Sequence, residues 1–364
     1  VLLTGGHPLE VLAALIKTHL VGTLTDSYNA GVIVLMVFIG GFVALMEKSG
    51  GGPAFATKMI GVIASKAKAQ IAAWCGGIFI FYSDLGTPLI IGPVFRPLFE
   101  KLRVSREKLA FIIDSTASPV AILVPFIGWG IYIMGLLQKE FDQAGKSLDS
   151  WQVFIGVIPY QFYALLAIAV IPVVVLLKAD IGPMAQTEIK ATQSNTSVNA
   201  DVVQNKDFEA FTHKNARARF VFLPLLVMAA VLLFMLVPLG FPFSSVPGSV
   251  FRAALASAYF LAACTLIGLM AWHKVRSGLE GVTLYLQGMS GMMQVIIVLV
   301  LAWTLSSLGN ELGTAAYIAE QAQRGFPAWL LPLVAFLLSA VISFATGSSW
   351  GTFAIMLPLV IPTA

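Results

Sequence analysis

The stretch that decides the fold is Ile71–Leu98, IAAWCGGIFIFYSDLGTPLIIGPVFRPL, and above all its centre, Ser83-Asp84-Leu85-Gly86-Thr87-Pro88. At a rise of about 1.5 Å per residue it is too short to cross a hydrocarbon layer roughly 30 Å thick twice. Both flanks are basic: Lys58–Lys68 precedes it, and Arg96–Lys108 follows with Arg96, Lys101, Arg103, Arg106 and Lys108 against Glu100 and Glu107. Connections rich in Lys and Arg stay on the cytoplasmic side, so both ends of this apolar segment belong there. A segment that enters and leaves by one face is a re-entrant hairpin. Gly86 and Pro88 break the helix at its apex, where the polar residues have no lipid-compatible alternative.

The rest of the chain supports a membrane setting. Of 364 residues, 58% are hydrophobic and 11% charged, against about 25% charged in an ordinary soluble domain. The mean hydropathy is +0.88. Val153–Leu177, Phe220–Leu239 and Phe251–Trp272 are apolar over lengths that suit spanning helices. Cys75 and Cys264 lie in apolar runs as packing residues, which leaves no disulfide framework and no CxxC site. His7, His213 and His273 are far apart and make no HExxH motif. No phosphate loop, nucleotide fingerprint or Ser-His-Asp set is present, so neither an enzyme nor a cofactor or nucleic-acid partner is expected. Val1 is not a start, and Ala364 stops inside the run Phe353–Ile361, so further helices are expected beyond it.

The charge rule gives sides to the other connections. Lys206–Arg219 and His273–Arg276 are basic and go inside; Lys139–Asp149, Pro238–Gly248 and Glu311–Arg324 go outside. Trp329–Pro362, with apex Thr346-Gly347-Ser348-Ser349-Trp350-Gly351-Thr352, then reads as a second hairpin entering from outside. Its Ser348-x-x-Gly351-Thr352 matches Ser83-x-x-Gly86-Thr87, and Pro358 matches Pro93, each 265 positions after its counterpart. Gly313-Thr314-Ala315-Ala316-Tyr317 parallels Gly50-Gly51-Gly52-Pro53-Ala54 with a two-residue shift. The expected fold is therefore an all-α polytopic membrane protein, an inverted repeat with two re-entrant helical hairpins of opposite orientation. Residues 1–178 form the first repeat with hairpin 71–98, residues 179–216 a polar cytoplasmic linker, and residues 217–364 the second repeat with hairpin 329–362. Lys214, Arg217 and Arg219 at the end of the linker are a topology signal.

Ionisable groups at membrane depth are costly and mark pathways. Asp84 qualifies at the first apex, beside Ser83 and Thr87 and two helix ends. So does Asp114, roughly 9 Å of helix beyond Lys108. It opens Asp114-Ser115-Thr116-Ala117-Ser118-Pro119, in which Pro119 frees a carbonyl and three hydroxyls add oxygens. Such ligands suit a hard cation such as sodium; the competing view is a helix break whose hydroxyls satisfy their own backbone. The second apex offers Thr346, Ser348, Ser349 and Thr352 but no acid, with Trp350 as a gate or a packing residue. Glu47 and Lys48 read as a solvated pair at an inner helix end. Gln287, Ser290 and Gln294 with Gly288 and Gly291 read as a close-packing face.

At these residues the sequence resembles the NhaC-type sodium/proton antiporters of the ion transporter superfamily. The likeness is densest in FYSDLGTPLIIGPVFRPLFEKLRVSREKLAFIIDSTASPVAILVP (Phe81–Pro125) and recurs in LAWTLSSLGNELGTAAYIA and FATGSSWGTFAIMLPLVIP within Leu301–Pro362. Where the family carries two adjacent acids followed by a Tyr-Ala-Asn stretch, this chain has Ser83, Asp84 and, at the Asn position, Thr87. The resemblance implies a homodimer in a bacterial inner membrane, with one bundle moving against a dimerising scaffold. It also implies exchange of Na+ for H+ by alternating access, with Na+ as coupling ion and Asp84 and Asp114 as its carboxylate ligands. The missing apex acid leaves room for a second reading. In it Ser83, Thr87, Ser348 and Thr352 bind a small carboxylate or amino acid carried together with sodium.

Overall fold

The structure, a computed structural model, describes residues 8–60, 63, 65–84, 86–193, 213–241, 246–313 and 328–361. Among these residues the regular elements are helices and there is no strand. In chain order, α1 (Pro8–Ala14) runs through a π turn, Leu15–Val21, into α2 (Gly22–Thr25), and Asp26 then caps α3 (Ser27–Lys48) by accepting the Asn29 N–H. Helix α3 is 22 residues long, about 33 Å at helical rise and enough to span a bilayer. Its Val32, Leu35, Met36, Ile39, Phe42, Leu45 and Met46 are all buried. They recur at helical spacing because other helices surround it: α4 (Gly51–Ile60), α9 (Gly128–Gln143), α14 (Gly248–Trp272) and α15 (Gly278–Gly291) all pack on it.

Four described stretches are long and apolar enough to cross a membrane: Ser27–Lys48, Arg219–Leu239, which is α13 (Arg219–Leu236) with the turn after it, Gly248–Trp272 and Gly278–Gly309. Two bent pairs pass the same test, Arg106–Leu123 with Gly128–Gln143 at 42° and Ser150–Tyr160 with Phe162–Leu177 at 48°. The outer surface is as greasy as a lipid-facing surface must be, with Phe234 82% and Phe344 93% exposed. The chain is an integral, polytopic, all-helical membrane protein.

The first hairpin is present as two short arms, α5 (Lys66–Phe79) and α6 (Gly86–Lys101), which pack on each other and on α7 (Arg106–Thr116). Thr116 of α7 sits where a Cβ on Gly77 would have to be, so the glycine lets the arm approach α7 closely. The second hairpin is α17 (Leu331–Thr346) and α18 (Ser349–Val360), and α18 packs on α9 and α16 (Met293–Glu311). No residue of α17 is buried.

Several expectations need correction. Val153–Leu177 is not one straight span, because α10 (Ser150–Val157) ends in the turn Ile158–Tyr160 around Pro159 and the chain bends before α11 (Phe162–Leu177). Cys75 and Cys264 are exposed rather than packed. The polar segment after Ala179 is not all linker: Pro183–Gln193 is a helix, α12, docked on α7 and the start of α5. Its Glu188 accepts the Ser105 N–H at 2.8 Å, Lys66 Nζ donates to Thr192 Oγ1 at 3.0 Å, and Asp180 pairs with buried Lys108. In the same basic loop, partial burial pushes the Glu100 carboxyl up, but the Arg96 hydrogen bond and the Arg106 charge outweigh it and hold Glu100 below the usual carboxylate range. Residues 194–212, the Gly313–Tyr317 counterpart from residue 314 on, and the outer connection up to residue 327 lie outside the described residues.

The small face of α15 divides. Gly288 presses on the Gly40 carbonyl and Ala44 of α3, as a close-packing glycine should, whereas Gly291 meets nothing within 4 Å and Gln287, Ser290 and Gln294 are exposed. Gly288→Leu is therefore expected to force α3 and α15 apart at a cost of roughly 1–3 kcal/mol, lowering the unfolding midpoint in detergent. Gly291→Leu should leave it unchanged; equal effects at both positions would contradict this packing.

Candidate ion-binding site

Both apices are built the same way, from the residues that the sequence pairs. After α5 the chain turns through residues 81–84, and Ser83 caps α6: its Oγ accepts the Gly86 N–H at 2.9 Å, and its carbonyl accepts the Thr87 N–H and hydroxyl, each at 3.3 Å. At the second apex Gly347 takes a left-handed conformation with φ +63°, and Ser348 caps α18. Its Oγ accepts the Gly351 N–H at 3.2 Å, and its carbonyl accepts the Thr352 N–H at 3.2 Å and the Thr352 hydroxyl at 2.8 Å. Thr87 and Thr352 are buried, while Thr346 and Ser349 are exposed and Ser348 half-buried. The hydroxyl of Thr346 donates to the Ile342 carbonyl at 2.8 Å. Each cap supplies an acceptor to N–H groups that the helix itself leaves without a partner.

One residue joins the two apices. The Trp129 indole N–H donates to Asp84 Oδ2 at 3.0 Å, and the same indole lies flat on Trp350, with centroids 3.7 Å apart and planes 15° from parallel. One turn along α9, Tyr132 donates its hydroxyl to the Trp350 carbonyl at 2.6 Å. Trp350 is thus a wall of the site, packed with Phe81, Phe126 and Phe353 around Trp129. The sequence did not single out Trp129, though it opens a helix directly after the break at Pro125.

Glu47 is the clearest correction. It is not a solvated end group: its Oε1 accepts the Ser83 hydroxyl at 2.5 Å, beneath the apex of the first hairpin. The signal was available, since Ser49-Gly50-Gly51-Gly52-Pro53 breaks the helix just after this acid, as other breaks accompany Asp84 and Asp114.

Asp114 stands one turn before the other break. Helix α7 stops at Thr116, Ala117 leaves the helical region at φ −83° and ψ −91°, and α8 (Ser118–Leu123) begins with Pro119 in its first turn. The buried Thr116 hydroxyl donates back to the Ile112 carbonyl at 2.8 Å, so this one satisfies its own backbone. Ser115 is buried, while Asp114 and Ser118 are exposed. The break packs on the first arm of the hairpin through Thr116 and Gly77, yet Asp84 turns to Trp129 and Asp114 to an open face.

A further histidine, His19, was not singled out in the sequence, where it follows Lys17 and Thr18 with no second histidine or acid at metal-ligand spacing. It is buried, with Nδ1 3.1 Å from Ser307 Oγ and Nε2 3.0 Å from Glu311. Beside it on α16, the buried Ser306 lies 2.6 Å from Glu140. Among the described residues no group of three or more His, Cys, Asp or Glu could hold a metal ion. A cation here would draw on hydroxyl and carbonyl oxygens beside one or two carboxylates.

Comparison with known proteins gives the family. A family model described as the Na+/H+ antiporter family matches residues 27–144 and again 120–364, which takes in both apices and the breaks between them. The chain belongs to this family. It is also similar to an uncharacterized protein of Haemophilus influenzae, 28% identical over 345 residues that cover 91% of this chain and 64% of that one. The chain thus spans 64% of the length of the curated relative it matches. No solved structure matches it.

In this antiporter-family chain the Trp129 indole N–H is one donor to the carboxylate at the first apex. Trp129→Phe keeps a ring on Trp350 but removes the hydrogen bond to Asp84. The expected cost is roughly 1.5–3 kcal/mol, the usual range for a hydrogen bond to a charged group, seen as a lower unfolding midpoint of the purified protein. A Trp129→Phe midpoint equal to wild type would mean that the indole N–H does not hold Asp84.

Proposed function

We propose that the chain carries the ion-transporting part of an NhaC-type sodium/proton antiporter of a bacterial inner membrane. The single observation behind this reading is Asp84, a carboxylate at a broken-helix apex inside a chain of the Na+/H+ antiporter family. A carboxylate can hold a proton or ligate Na+, and a low-dielectric site disfavours leaving it charged and alone. Sodium entering the site displaces the proton, and a proton returning displaces sodium. That competition exchanges one for the other if the site opens to one side of the membrane at a time.

The oxygens available beside Asp84 are those of Ser83 and Thr87, with Ser348 and Thr352 at the other apex. Asp114, Ser115, Thr116 and Ser118 are a second candidate set at the α7–α8 break. The stack of Trp350 on Trp129 supports a gating role for Trp350 between the apices. The shared Ser-x-x-Gly-Thr cap supports an inverted repeat of two oppositely oriented hairpins, the architecture in which one bundle rocks against the rest. A homodimer with a fixed scaffold completes this reading. The family match lends no support to the organic-solute carrier.

The test is reconstitution of the full-length protein in liposomes, following internal pH after a sodium pulse. Wild type is expected to move protons only when sodium is present. Asp84→Asn should abolish that movement, and Asp114→Asn should abolish it or reduce it at least roughly tenfold, equivalent to about 1.4 kcal/mol. A wild type that moves no protons in response to sodium would overturn the antiport reading.

A further inference from the structure

Between Arg219 and His273 the chain carries a single charged residue, Arg252, near the start of α14. The charge rule puts that end of the helix outside, where a basic residue runs against the usual bias and calls for a local reason. Its guanidinium lies over the Tyr28 ring, 4.0 Å from the centroid. The side chain follows the backbone of α3, since a Cβ on Gly31 would come within 3.1 Å of Arg252 Nε. Among the described residues no carboxylate is within ion-pair distance of it. Asp26 and Asp149 instead cap α3 and α10, accepting the Asn29 and Trp151 N–H groups at 3.0 and 2.9 Å.

Arg252 lines a cavity of about 850 Å³ bounded by α3, α9, α10 and the start of α14. Leu148 and Phe241, from the two connections that the charge rule puts outside, line it as well. Polar Ser27, Gln152 and Ser249 share the lining with Trp151 and Phe251, whose ring centroids are 4.3 Å apart. Tyr28 is fixed beneath Arg252 by donating its hydroxyl to the Met134 carbonyl at 3.2 Å. Pro247, which precedes α14, supplies no side-chain cap, so the first N–H groups of the helix add partial positive charge at the cavity edge.

A charge drawn partly out of water without a counter-ion is costly. The Tyr28 ring offsets part of that cost through its face, but it leaves the planar fork of guanidinium N–H groups free to bind. That fork matches two oxygens of one oxyanion, and a phosphate has further oxygens to meet the helix N–H groups at the same time. The same guanidinium repels a cation, so the cavity is not an entrance for sodium.

We propose that this outer cavity is a phosphate-binding site, with Arg252 holding two phosphate oxygens and the start of α14 a third. The phosphate is that of a phospholipid headgroup or of a soluble phosphate, which present the same oxygens. Bound there, it ties α3 and α14 to α9, the helix that carries Trp129. The site shares no lining residue with either apex and does not depend on the antiport reading.

The experiment titrates the purified full-length protein in neutral detergent, without sodium, and reads its unfolding midpoint. One arm adds phosphatidylglycerol against diacylglycerol; the other adds potassium phosphate against potassium chloride at equal ionic strength. Wild type is expected to show a saturable rise in midpoint in at least one arm. A rise with phosphatidylglycerol alone marks a lipid headgroup, and a rise with inorganic phosphate marks a soluble one. Arg252→Gln keeps a hydrogen-bonding side chain without the charge and is expected to weaken binding about tenfold or more. Ser249→Glu places a carboxylate three residues before Arg252, on the same helix face and in the first turn, where an acid is favourable. It is expected to raise the midpoint in the absence of ligand and to abolish the response, which keeps the test open if Arg252→Gln does not fold. A wild type silent in both arms, or a response unchanged in Arg252→Gln or in Ser249→Glu, would overturn the proposal.

Discussion

Hydrocarbon offers no partner to a backbone N–H, so a helix that stops inside a membrane has to satisfy its own broken ends. That constraint accounts for the chemistry of both apices. Ser83 and Ser348 turn their hydroxyl oxygens onto the N–H groups of Gly86 and Gly351, and the two threonines one residue on donate to the serine carbonyls. The polar atoms are first of all a structural necessity. What remains beyond that necessity is charge: Asp84 at the first apex, and Glu47 delivered to it from α3.

The second constraint is that both apices meet one helix. Helix α9 starts after the break at Pro125 and presents Trp129 and Tyr132 one turn apart. Trp129 carries a hydrogen bond to the first apex on its indole edge and the second apex on its ring face, while Tyr132 fixes the Trp350 backbone. An ion that changes the charge at Asp84 therefore acts on a residue already in contact with the other hairpin. The stacked rings and one hydrogen bond form a short physical path between the two hairpins.

The membrane class and the helix breaks at Gly86, Gly347 and Pro119 were legible in the sequence, because composition and the Gly and Pro residues at those breaks each have local physical causes. The place of Asp84 beside one of those breaks was legible for the same reason. What the sequence hid were long-range partners. Glu47 looks like a solvated helix end until α3 is seen beneath the apex, Trp129 looks like any core aromatic, and His19 looks isolated until α16 brings Ser307 and Glu311 to it. The bend in Val153–Leu177 was visible as Pro159 but was outweighed by unbroken hydrophobicity. The helix Pro183–Gln193 was missed because its polarity suits a linker as well as it suits a helix docked on charged loops.

The central claim is the proposal that a cation binds at the first apex, beside Asp84 and Trp129. A cryo-EM map of the full-length protein, prepared once in sodium and once in thallium(I) as a heavier surrogate for the same site, tests it most directly. The account predicts a thallium difference peak within about 3 Å of a carboxylate oxygen of Asp84, since hard-cation oxygen ligands lie at roughly 2.3–2.6 Å and thallium is somewhat larger. A peak elsewhere, with Asp84 still on Trp129, would contradict it.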